Sequence, residues 1–280
     1  MEVNVSKKIA AIVLVVIALV MGTFAMAGAT GDTATVYVIH GINGVDLGQP
    51  MALPVDVSAN GVCVPALEGL TFEQVAGPLS LPAGTYDVAI YLHDASMPCN
   101  PANKAIGPAS LTLDAGKNYT IIAYLTETGT PTASLFTNDL SRIKFHKTRI
   151  VAHHTAEAPP VDITLSRQSP WEDDKSEDDK WEDDKSEDDK AAQAAESEKD
   201  ADHRGDSGRT LKISNLSNGQ SAAAEIRPGK WQASVFLAGT DTKVLGPLDL
   251  DLRPTRVYSY YVVGSAKNGL FVISQTFRRH

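Results

Sequence analysis

Apolar and polar residues alternate with a period of two along much of the chain, which is the pattern of half-buried β-strands. The clearest alternation runs from Tyr86 to Leu92, and similar segments run from Tyr119 to Leu125 and from Trp231 to Leu237. Turn-forming groups separate these segments, namely Pro82-Ala83-Gly84, Asp114-Ala115-Gly116, Asn218-Gly219 and Pro228-Gly229. Such residues supply the fixed or positive φ angles that turns need. Past the N-terminal segment no window keeps a helical apolar stripe, so the sequence predicts an all-β protein.

Three strand-and-turn signatures occur twice in the chain, in the same order. The first signature is Thr35–His40 followed by Pro54–Val57, and it recurs as Thr148–His153 followed by Pro160–Ile163. The second, Leu81–Leu92, recurs as Ile226–Leu237. The third, Ile106-Gly107-Pro108, recurs as Leu245-Gly246-Pro247. Such repetition indicates one domain used twice. Without the N-terminal segment and an acidic segment, each repeat has about 105 residues, the size of an immunoglobulin-like domain. We therefore predict two tandem immunoglobulin-like β-sandwich domains.

The N-terminus has the organisation of a secretory signal peptide. Lys7-Lys8 precedes the apolar run Ile9–Met21, and Ala25-Met26-Ala27 offers small residues for cleavage. The apolar run is shorter than the roughly 20 residues of a membrane-spanning helix, and an uncleaved anchor is the alternative. The predicted organisation is a signal peptide at 1–27, repeat 1 at 28–144 and repeat 2 at 145–280. We expect the protein to be secreted, or held at the cell surface.

The net charge of −9 is concentrated in one segment, 170–209, which contains 17 acidic and 7 basic residues. Within it, the ten residues Trp171–Lys180 recur unchanged as Trp181–Lys190. The segment has almost no apolar side chains to bury, so we predict that it is disordered. A helix is the alternative, but it would place like charges four residues apart. Because the segment lies between the Pro-Val-Asp strand and Thr210, we interpret it as a loop insertion in repeat 2.

The acidic insertion suggests two kinds of ligand. Dense carboxylates attract calcium, but no turn here arranges six or more oxygens as an EF-hand loop does, so we predict no metal and no other cofactor. Trp171 and Trp181 are candidate anchors for an extracellular partner on which the segment folds, and the acidity favours a cationic one. The rest of the chain has 17 acidic and 18 basic residues and no basic patch, which argues against nucleic-acid binding.

Both cysteines, Cys63 and Cys99, lie in repeat 1. In an exported protein an even number of cysteines within one domain predicts a disulfide. That bond would close a loop of 37 residues and contribute roughly 3–4 kcal/mol on the chain-entropy account. Two buried thiols are the alternative. Repeat 2 has no cysteine, so the bond would reinforce one repeat and is not required by the fold.

The stretch His153–Ile163 resembles the start of the domain of unknown function numbered 4397. That family typically reads His-Ala-Ser-Pro-Asp-Ala-Pro-Ala-Val-Asp-Val, with the same spacing from His to Asp. Pro82–Tyr86 is similar to the Pro-Ala-Gly-Thr-Tyr segment of the family, and Leu113–Thr120 to its Leu-x-Ala-Gly-Lys-x-Tyr-Thr turn. The resemblance covers nearly all of the chain between the signal peptide and the C-terminus except the acidic insertion. It implies a secreted or surface-attached, tandem immunoglobulin-like protein of unassigned activity.

The chain departs from that family pattern at two places. Repeat 2 keeps the spacing of 9 positions from His153 to Asp162, whereas repeat 1 has 16 positions from His40 to Asp56. Repeat 2 also has Arg253-Pro254-Thr255-Arg256 where the family turn has Ala-Gly-Lys. Both changes are compatible with the fold, but we expect any site on the first loop of repeat 1 to be altered.

The histidine and aspartate of each signature are the main candidate site residues. We predict a structural role, in which the histidine ends an edge strand and hydrogen-bonds the returning Pro-Val-Asp segment. No Gly-x-Ser-x-Gly or His-Glu-x-x-His motif accompanies them, so no catalytic or metal-binding residue is predicted. The structural signature comprises His40, Asp56, His153 and Asp162, whereas an exported hydrolase or metal-dependent enzyme would use His153, His154, Glu157 and Asp162.

These observations favour a non-catalytic extracellular binding or adhesion module whose ligand the sequence does not identify. The first alternative is the hydrolase or metal-dependent enzyme described above. The second is a structural component of a surface layer or matrix. An enzyme predicts that the signature side chains converge on a pocket. A binding module predicts that deletion of residues 170–209 leaves thermal unfolding nearly unchanged while it weakens capture of a cationic partner.

Overall fold

The computed structural model describes residues 32–168 and 210–278. The predicted signal peptide, and the acidic insertion with Trp171 and Trp181, lie outside the described residues. None of the helices in the two described ranges has the length and apolar character needed to cross a bilayer.

Repeat 1 is a sandwich of two four-stranded sheets. Its inner sheet has the order β4-β1-β7-β8 and its outer sheet the order β3-β2-β5-β6. Strands β1 and β7 are parallel, and the other neighbouring pairs are antiparallel. The strands are β1 (Thr33–His40), β2 (Val55–Ala59), β3 (Val62–Cys63), β4 (Val75–Pro82), β5 (Gly84–Leu92), β6 (Lys104–Leu113), β7 (Asn118–Leu125) and β8 (Pro131–Thr137).

Repeat 2 has the same topology. Its inner sheet has the order β12-β9-β15-β16 and its outer sheet the order β11-β10-β13-β14. The parallel pair recurs between β9 and β15. The strands are β9 (Thr148–His154), β10 (Val161–Arg167), β11 (Thr210–Leu216), β12 (Gln220–Ile226), β13 (Gly229–Leu237), β14 (Lys243–Leu252), β15 (Arg256–Ser265) and β16 (Gly269–Arg278). The predicted all-β fold of two sandwich-like halves is confirmed.

Each sandwich has its own apolar core, formed by the alternate residues of each strand that face inward. In repeat 1, Val36 and Val38 of β1 meet Val57 of β2 and Ile90 of β5. In repeat 2, the corresponding layer contains Ile150, Ile163, Trp231 and Val235. The period-two pattern in the sequence reflects this arrangement, because alternate side chains of a strand point to opposite faces.

The inner sheets of the two repeats also pack against each other, so the molecule has four sheet layers. The opposite faces of β1 and β7 place Ile39 and Ile122 against Tyr261 and Val263 of β15, and all four are 0% exposed. At the edge of the interface Thr120 donates a hydrogen bond to Gln275, with an oxygen–oxygen distance of 2.9 Å. Strands β7 and β15 are therefore buried on both faces.

The linker between the repeats, residues 138–147, is fastened to repeat 2 by a buried arginine. The guanidinium of Arg149 forms ion pairs with Asp139 at 2.9 Å and with Glu225 at 2.8 Å. It also donates a hydrogen bond to the carbonyl oxygen of Asp139 at 2.7 Å. Hydrogen bonds and this cation keep the pKa values of Asp139 and Glu225 below their usual range. The junction is thus held by side chains as well as by the sheet interface.

Candidate functional site

The loops at one end of repeat 1 carry most of its unusual side chains. Loops 41–54, 64–74, 93–103 and 126–130 lie at this end, and we call them the loop end of repeat 1. The turns β2–β3, β4–β5 and β6–β7 lie at the opposite end, as do the last residue of β10 and the first residue of β11. The acidic insertion therefore leaves the described structure at the end opposite to these loops.

His40 ties the first of these loops to the sheet. Its Nε2–H donates to the carbonyl oxygen of Leu53 at 2.8 Å, and its Nδ1 accepts the amide N–H of Ile42 at 3.3 Å. These partners fix the neutral tautomer. Burial lowers the pKa of His40 and outweighs the opposite effect of the Leu53 carbonyl. The sequence predicts a hydrogen bond to the Pro-Val-Asp segment, and the structure places it one residue earlier, at Leu53. Strand β1 is an interior strand and not the predicted edge strand.

In repeat 2 this role belongs to His154 and not to His153. The Nε2–H of His154 donates to the carbonyl oxygen of Pro159 at 3.0 Å, and Nδ1 accepts the amide of Ala156 at 3.4 Å. The register agrees, because His40 lies opposite Ala123 of β7 and His154 opposite Val262 of β15. The sequence alignment of the repeats, which pairs His40 with His153, is therefore shifted by one residue. A shift of one residue in a strand moves a side chain to the other face of the sheet.

His153 consequently points into the interface between the repeats. Its ring stacks on Tyr261 with centroids 4.2 Å apart and meets the edge of Phe136 at 4.5 Å. Neither ring nitrogen has a hydrogen-bond partner among the described residues, and the side chain is 2% exposed. Burial lowers the pKa of His153 to about 3. The side chain is therefore neutral and apolar in its contacts, which is unlike the predicted hydrogen-bonding role.

The signature aspartates hold neighbouring loops together. Asp56 is 0% exposed and accepts the amide N–H groups of Gly69 at 2.9 Å and Cys99 at 3.0 Å. In repeat 2, Asp162 accepts the amides of Asn215 at 2.8 Å and Gly239 at 3.3 Å. Burial alone would raise the pKa of Asp56, but the hydrogen bonds together outweigh it and lower the pKa. Both aspartates thus supply acceptors for loop amides that would otherwise be buried without partners.

The third partner of the aspartate differs between the repeats. In repeat 1 it is His93, whose Nδ1 lies 2.6 Å from Asp56 Oδ1. In repeat 2 it is the exposed Lys212, with Nζ 3.1 Å from Asp162 Oδ2. Sequence reasoning missed His93, because 37 positions separate it from Asp56 and no local motif connects them. Its position directly after strand β5, at the end where Asp56 lies, is the signal that was available.

The additional residues of the first loop in repeat 1 form a 3₁₀ turn at Gly44–Leu47. The side chain of Asn43 caps this turn by accepting the amide of Val45 at 3.1 Å. Asp46 then reaches repeat 2, where it accepts hydrogen bonds from Ser265 Oγ at 2.6 Å and Asn268 Nδ2 at 2.7 Å. Gly44 is required here, since a Cβ would overlap the carbonyl oxygen of Pro50. The lengthened spacing from His40 to Asp56 therefore builds an anchored loop.

Loop 93–103 is anchored by a covalent bond as well. Cys63 and Cys99 form a disulfide with a Cα–Cα distance of 5.7 Å, so the predicted disulfide is present. Asn100 caps the 3₁₀ turn Pro101–Asn103 by accepting the amide of Ala102 at 3.0 Å. Together with Asp56, the disulfide attaches this loop to the outer sheet at two points.

Replacing both cysteines by serine should lower the free energy of unfolding by about 3 kcal/mol, because the unfolded chain regains the freedom of the closed loop. Urea unfolding of the wild type and of the Cys63→Ser/Cys99→Ser variant measures the difference. Adding a reductant should destabilise the wild type and leave the variant unchanged. Equal midpoints for the two proteins under oxidising conditions would show that the disulfide does not stabilise repeat 1.

Comparison with known families identifies the first half of the chain. The sequence profile of the domain of unknown function DUF4397 matches residues 34–164, from β1 into β10. Residues 34–164 are thus similar to the DUF4397 domain. This match confirms the resemblance seen in the sequence, and it includes both histidine–aspartate signatures. No curated protein matches the chain.

The structure shows what the histidine and the aspartate of the family signature do. In both repeats the histidine ties the β1–β2-type loop to its own strand, and the aspartate accepts amide N–H groups from two further segments of the chain. The side chains proposed for a hydrolase do not converge: His153 lies in the interface, His154 is bonded to Pro159, and Asp162 caps loops. Within residues 32–168 and 210–278, no group of three potential metal ligands occurs.

The loop end of repeat 1 is also where apolar side chains remain exposed. The described residues include eight exposed large hydrophobic side chains, and six of them lie at this end. The other two are Val62 and Phe145, and repeat 2 contributes none in its described part. We call the following six residues the apolar loop patch: Val45, Leu47, Met51, Val75, Leu92 and Met97.

Proposed function

We propose that this protein is a secreted or cell-surface, non-catalytic binding module that contacts its partner through the loop end of repeat 1. The observation that carries the proposal is the apolar loop patch, because exposed apolar groups concentrated on one part of a surface are typical of interaction sites. Met51 is 50% exposed and Met97 is 54% exposed. Methionine side chains adapt well to different partner surfaces.

The support beneath the patch favours binding. Val45 and Leu47 lie on the 3₁₀ turn that Asn43 and Asp46 anchor, and Met97 lies on the loop that the disulfide and Asp56 anchor. A surface that is already ordered loses less conformational entropy on association than a mobile one. Apolar side chains on fixed loops can therefore contribute most of their burial energy to affinity.

The partner that fits this surface presents apolar groups of its own. We propose an extracellular protein or peptide, because a patch spread over two loops and two strand ends suits a broad, shallow contact. The acidic insertion leaves repeat 2 at the opposite end, between Gln168 and Thr210. Capture of a cationic partner by Trp171 and Trp181 would therefore be a separate interaction from the one at the apolar loop patch.

The patch can be tested with the Val45→Ser/Leu47→Ser/Met51→Ser variant. We expect it to lose at least about tenfold of the binding shown by the wild type, since each buried apolar side chain contributes roughly 1.5–3 kcal/mol. Proteins that the wild type captures from its native extracellular medium are identified by quantitative mass spectrometry. Their affinities for purified wild type and variant are then measured by surface plasmon resonance.

The matched control is Val62→Ser/Phe145→Ser, which removes the two exposed hydrophobic side chains that lie elsewhere. It should bind as the wild type does. None of the five side chains is buried, so both variants should fold. Thermal unfolding of all three proteins checks this. If the control and the patch variant lose affinity equally, or if neither does, the loop end of repeat 1 is not the binding surface.

A further inference from the structure

We propose that the space between the two sheets of repeat 1 binds an unbranched alkyl chain. An apolar cavity of about 70 Å³ lies there, among side chains of β1, β2, β4, β5, β6 and β7. The lining includes two polar side chains, Ser58 and Tyr86, and the hydroxyl of Tyr86 donates to the carbonyl oxygen of Pro82 at 2.8 Å. A cavity with such a mainly apolar lining does not hold water and favours apolar ligands.

Comparison of the two repeats shows where the cavity comes from. Leu165 of β10 is 1% exposed and fills the core of repeat 2, whereas the equivalent position in β2 is Ala59. Leu165 pairs with Leu211 of β11, which packs against the same core. The corresponding partner of Ala59 is Val62, which is 69% exposed and lies outside the core. Two leucines of repeat 2 thus have no counterpart in the core of repeat 1.

A third replacement lies on strand β5. Trp231 of β13 is 2% exposed, and its Nε1–H donates to the carbonyl oxygen of Arg227 at 2.9 Å. Tyr86 occupies the equivalent position in β5 and donates to the carbonyl four residues before it in the same way. The smaller phenol leaves part of the indole volume unfilled. The space between the sheets of repeat 2 is smaller, about 40 Å³, although Ala233 and Val235 are smaller than their repeat 1 counterparts Val88 and Ile90.

The cavity reaches the surface beside the edge strand β4. Leu79 and Leu81 of β4 line the cavity and are each partly exposed. Strand β3 has two residues, whereas its counterpart β11 has seven, so the outer sheet covers less of this edge in repeat 1. A ligand can therefore place its apolar part between the sheets and leave a polar end in water. This opening lies away from the apolar loop patch.

The volume decides which ligand fits. An engineered cavity of ~150 Å³ takes benzene or xenon, and the space in repeat 1 is about half as large. The end of an unbranched chain, which is narrower than a ring, suits this size and can continue outward past the leucines at the opening. Such a chain occurs in free fatty alcohols and acids and in membrane lipids. The inference is independent of the proposed partner at the loop end.

Decan-1-ol is the probe for the free chain, added to the isotope-labelled full-length protein and followed by methyl NMR. We expect saturable shifts that are confined to residues around the cavity, with Leu79, Leu81 and Leu111 among them. In a second arm, vesicles of phosphatidylcholine test whether a bilayer can supply the chain, by co-sedimentation. If the wild type binds vesicles and a cavity-filling variant does not, a membrane lipid is the source of the chain. If only decan-1-ol binds, the source is a free amphiphile. Both results support the site.

The Ala59→Leu variant restores the residue that repeat 2 has and should fill the cavity. We expect the affinity for decan-1-ol to fall at least about tenfold, because the ligand loses the burial of about two methylene groups. Tyr86→Trp, the other replacement by a repeat 2 residue, should act in the same direction if Ala59→Leu does not fold. Ser80→Leu, on the exposed face of β4 between the two lining leucines, adds the same side chain outside the cavity and should change nothing.

Three results would overturn the proposal. The first is the absence of saturable shifts in the wild type. The second is equal binding of decan-1-ol or vesicles by the wild type and by a folded Ala59→Leu or Tyr86→Trp variant. The third is a set of shifts centred on Val45, Leu47 and Met97, which would assign the alkyl chain to the loop end.

Discussion

The Tyr261→Ala variant is expected to lose about 3–5 kcal/mol of the free energy of unfolding, the range for removal of a large buried aromatic ring. Tyr261 is 0% exposed and lies in the cluster that joins the repeats, stacked on His153 and 6.3 Å from Phe136. Its ring is held from both sides, so the surrounding strands have little room to close the resulting cavity. Urea unfolding followed by circular dichroism measures the loss.

The same variant tests whether the two repeats stabilise each other. Because Tyr261 contacts repeat 1 residues from its place in repeat 2, hydrogen exchange should accelerate in β1 and β7 as well as in β15. Tyr261→Phe is the matched control: it keeps the ring and removes only a hydroxyl that has no hydrogen-bond partner among the described residues, so this variant should be at least as stable as the wild type. Faster exchange restricted to repeat 2 would show that the repeats are independent domains.

The sequence predicts the sandwiches well because one face of each outer strand is buried and the other is wet. Strand β13 shows this, since Trp231, Ala233 and Val235 are buried and alternate with partly exposed residues. The sequence does not predict that the inner sheets pack together. Strand β15 contains Val257-Tyr258-Ser259-Tyr260-Tyr261-Val262-Val263, and such a nearly continuous apolar run is the pattern of a strand buried on both faces. That run was the available signal.

The site was harder to predict, for two physical reasons. First, the adjacent histidines His153 and His154 have the same chemistry, and only the strand register decides which one faces the core of repeat 2. Second, the contacts that shape the loop end connect distant parts of the chain. Asp46 meets Ser265 across 219 positions, and Asp56 meets His93 across 37. Local patterns contain no information about such pairs, whereas the disulfide was predictable because repeat 1 contains two cysteines and the chain contains no others.

The interface histidine gives a prediction of opposite sign to that of most core substitutions. His153→Phe should raise the free energy of unfolding at pH 7 by about 1–2 kcal/mol, because it replaces two buried, unpaired ring nitrogens with apolar atoms between Phe136 and Tyr261. His154→Phe is the matched control at the neighbouring position. It removes the bonds to Pro159 and Ala156 and should destabilise the protein.

The difference in the free energy of unfolding between His153→Phe and the wild type should grow in acid. Its direction follows from the pKa of His153. In the folded protein burial lowers this pKa to about 3, from its ordinary value of 6.5. Below pH 6.5 the unfolded chain binds a proton that the folded protein does not, so the stability present above pH 6.5 is lost as the pH falls toward 3. At pH 4 the loss from this one group is about 3 kcal/mol.

The His153→Phe variant avoids this loss, whereas the lowered pKa values of His40 and His154 keep part of the acid sensitivity in both proteins. Urea unfolding at intervals between pH 7 and pH 4 should therefore give a shallower slope for His153→Phe than for the wild type. Parallel slopes would mean that His153 binds its proton equally well in both states, and the interface would then have to admit water or a counter-charge to the ring.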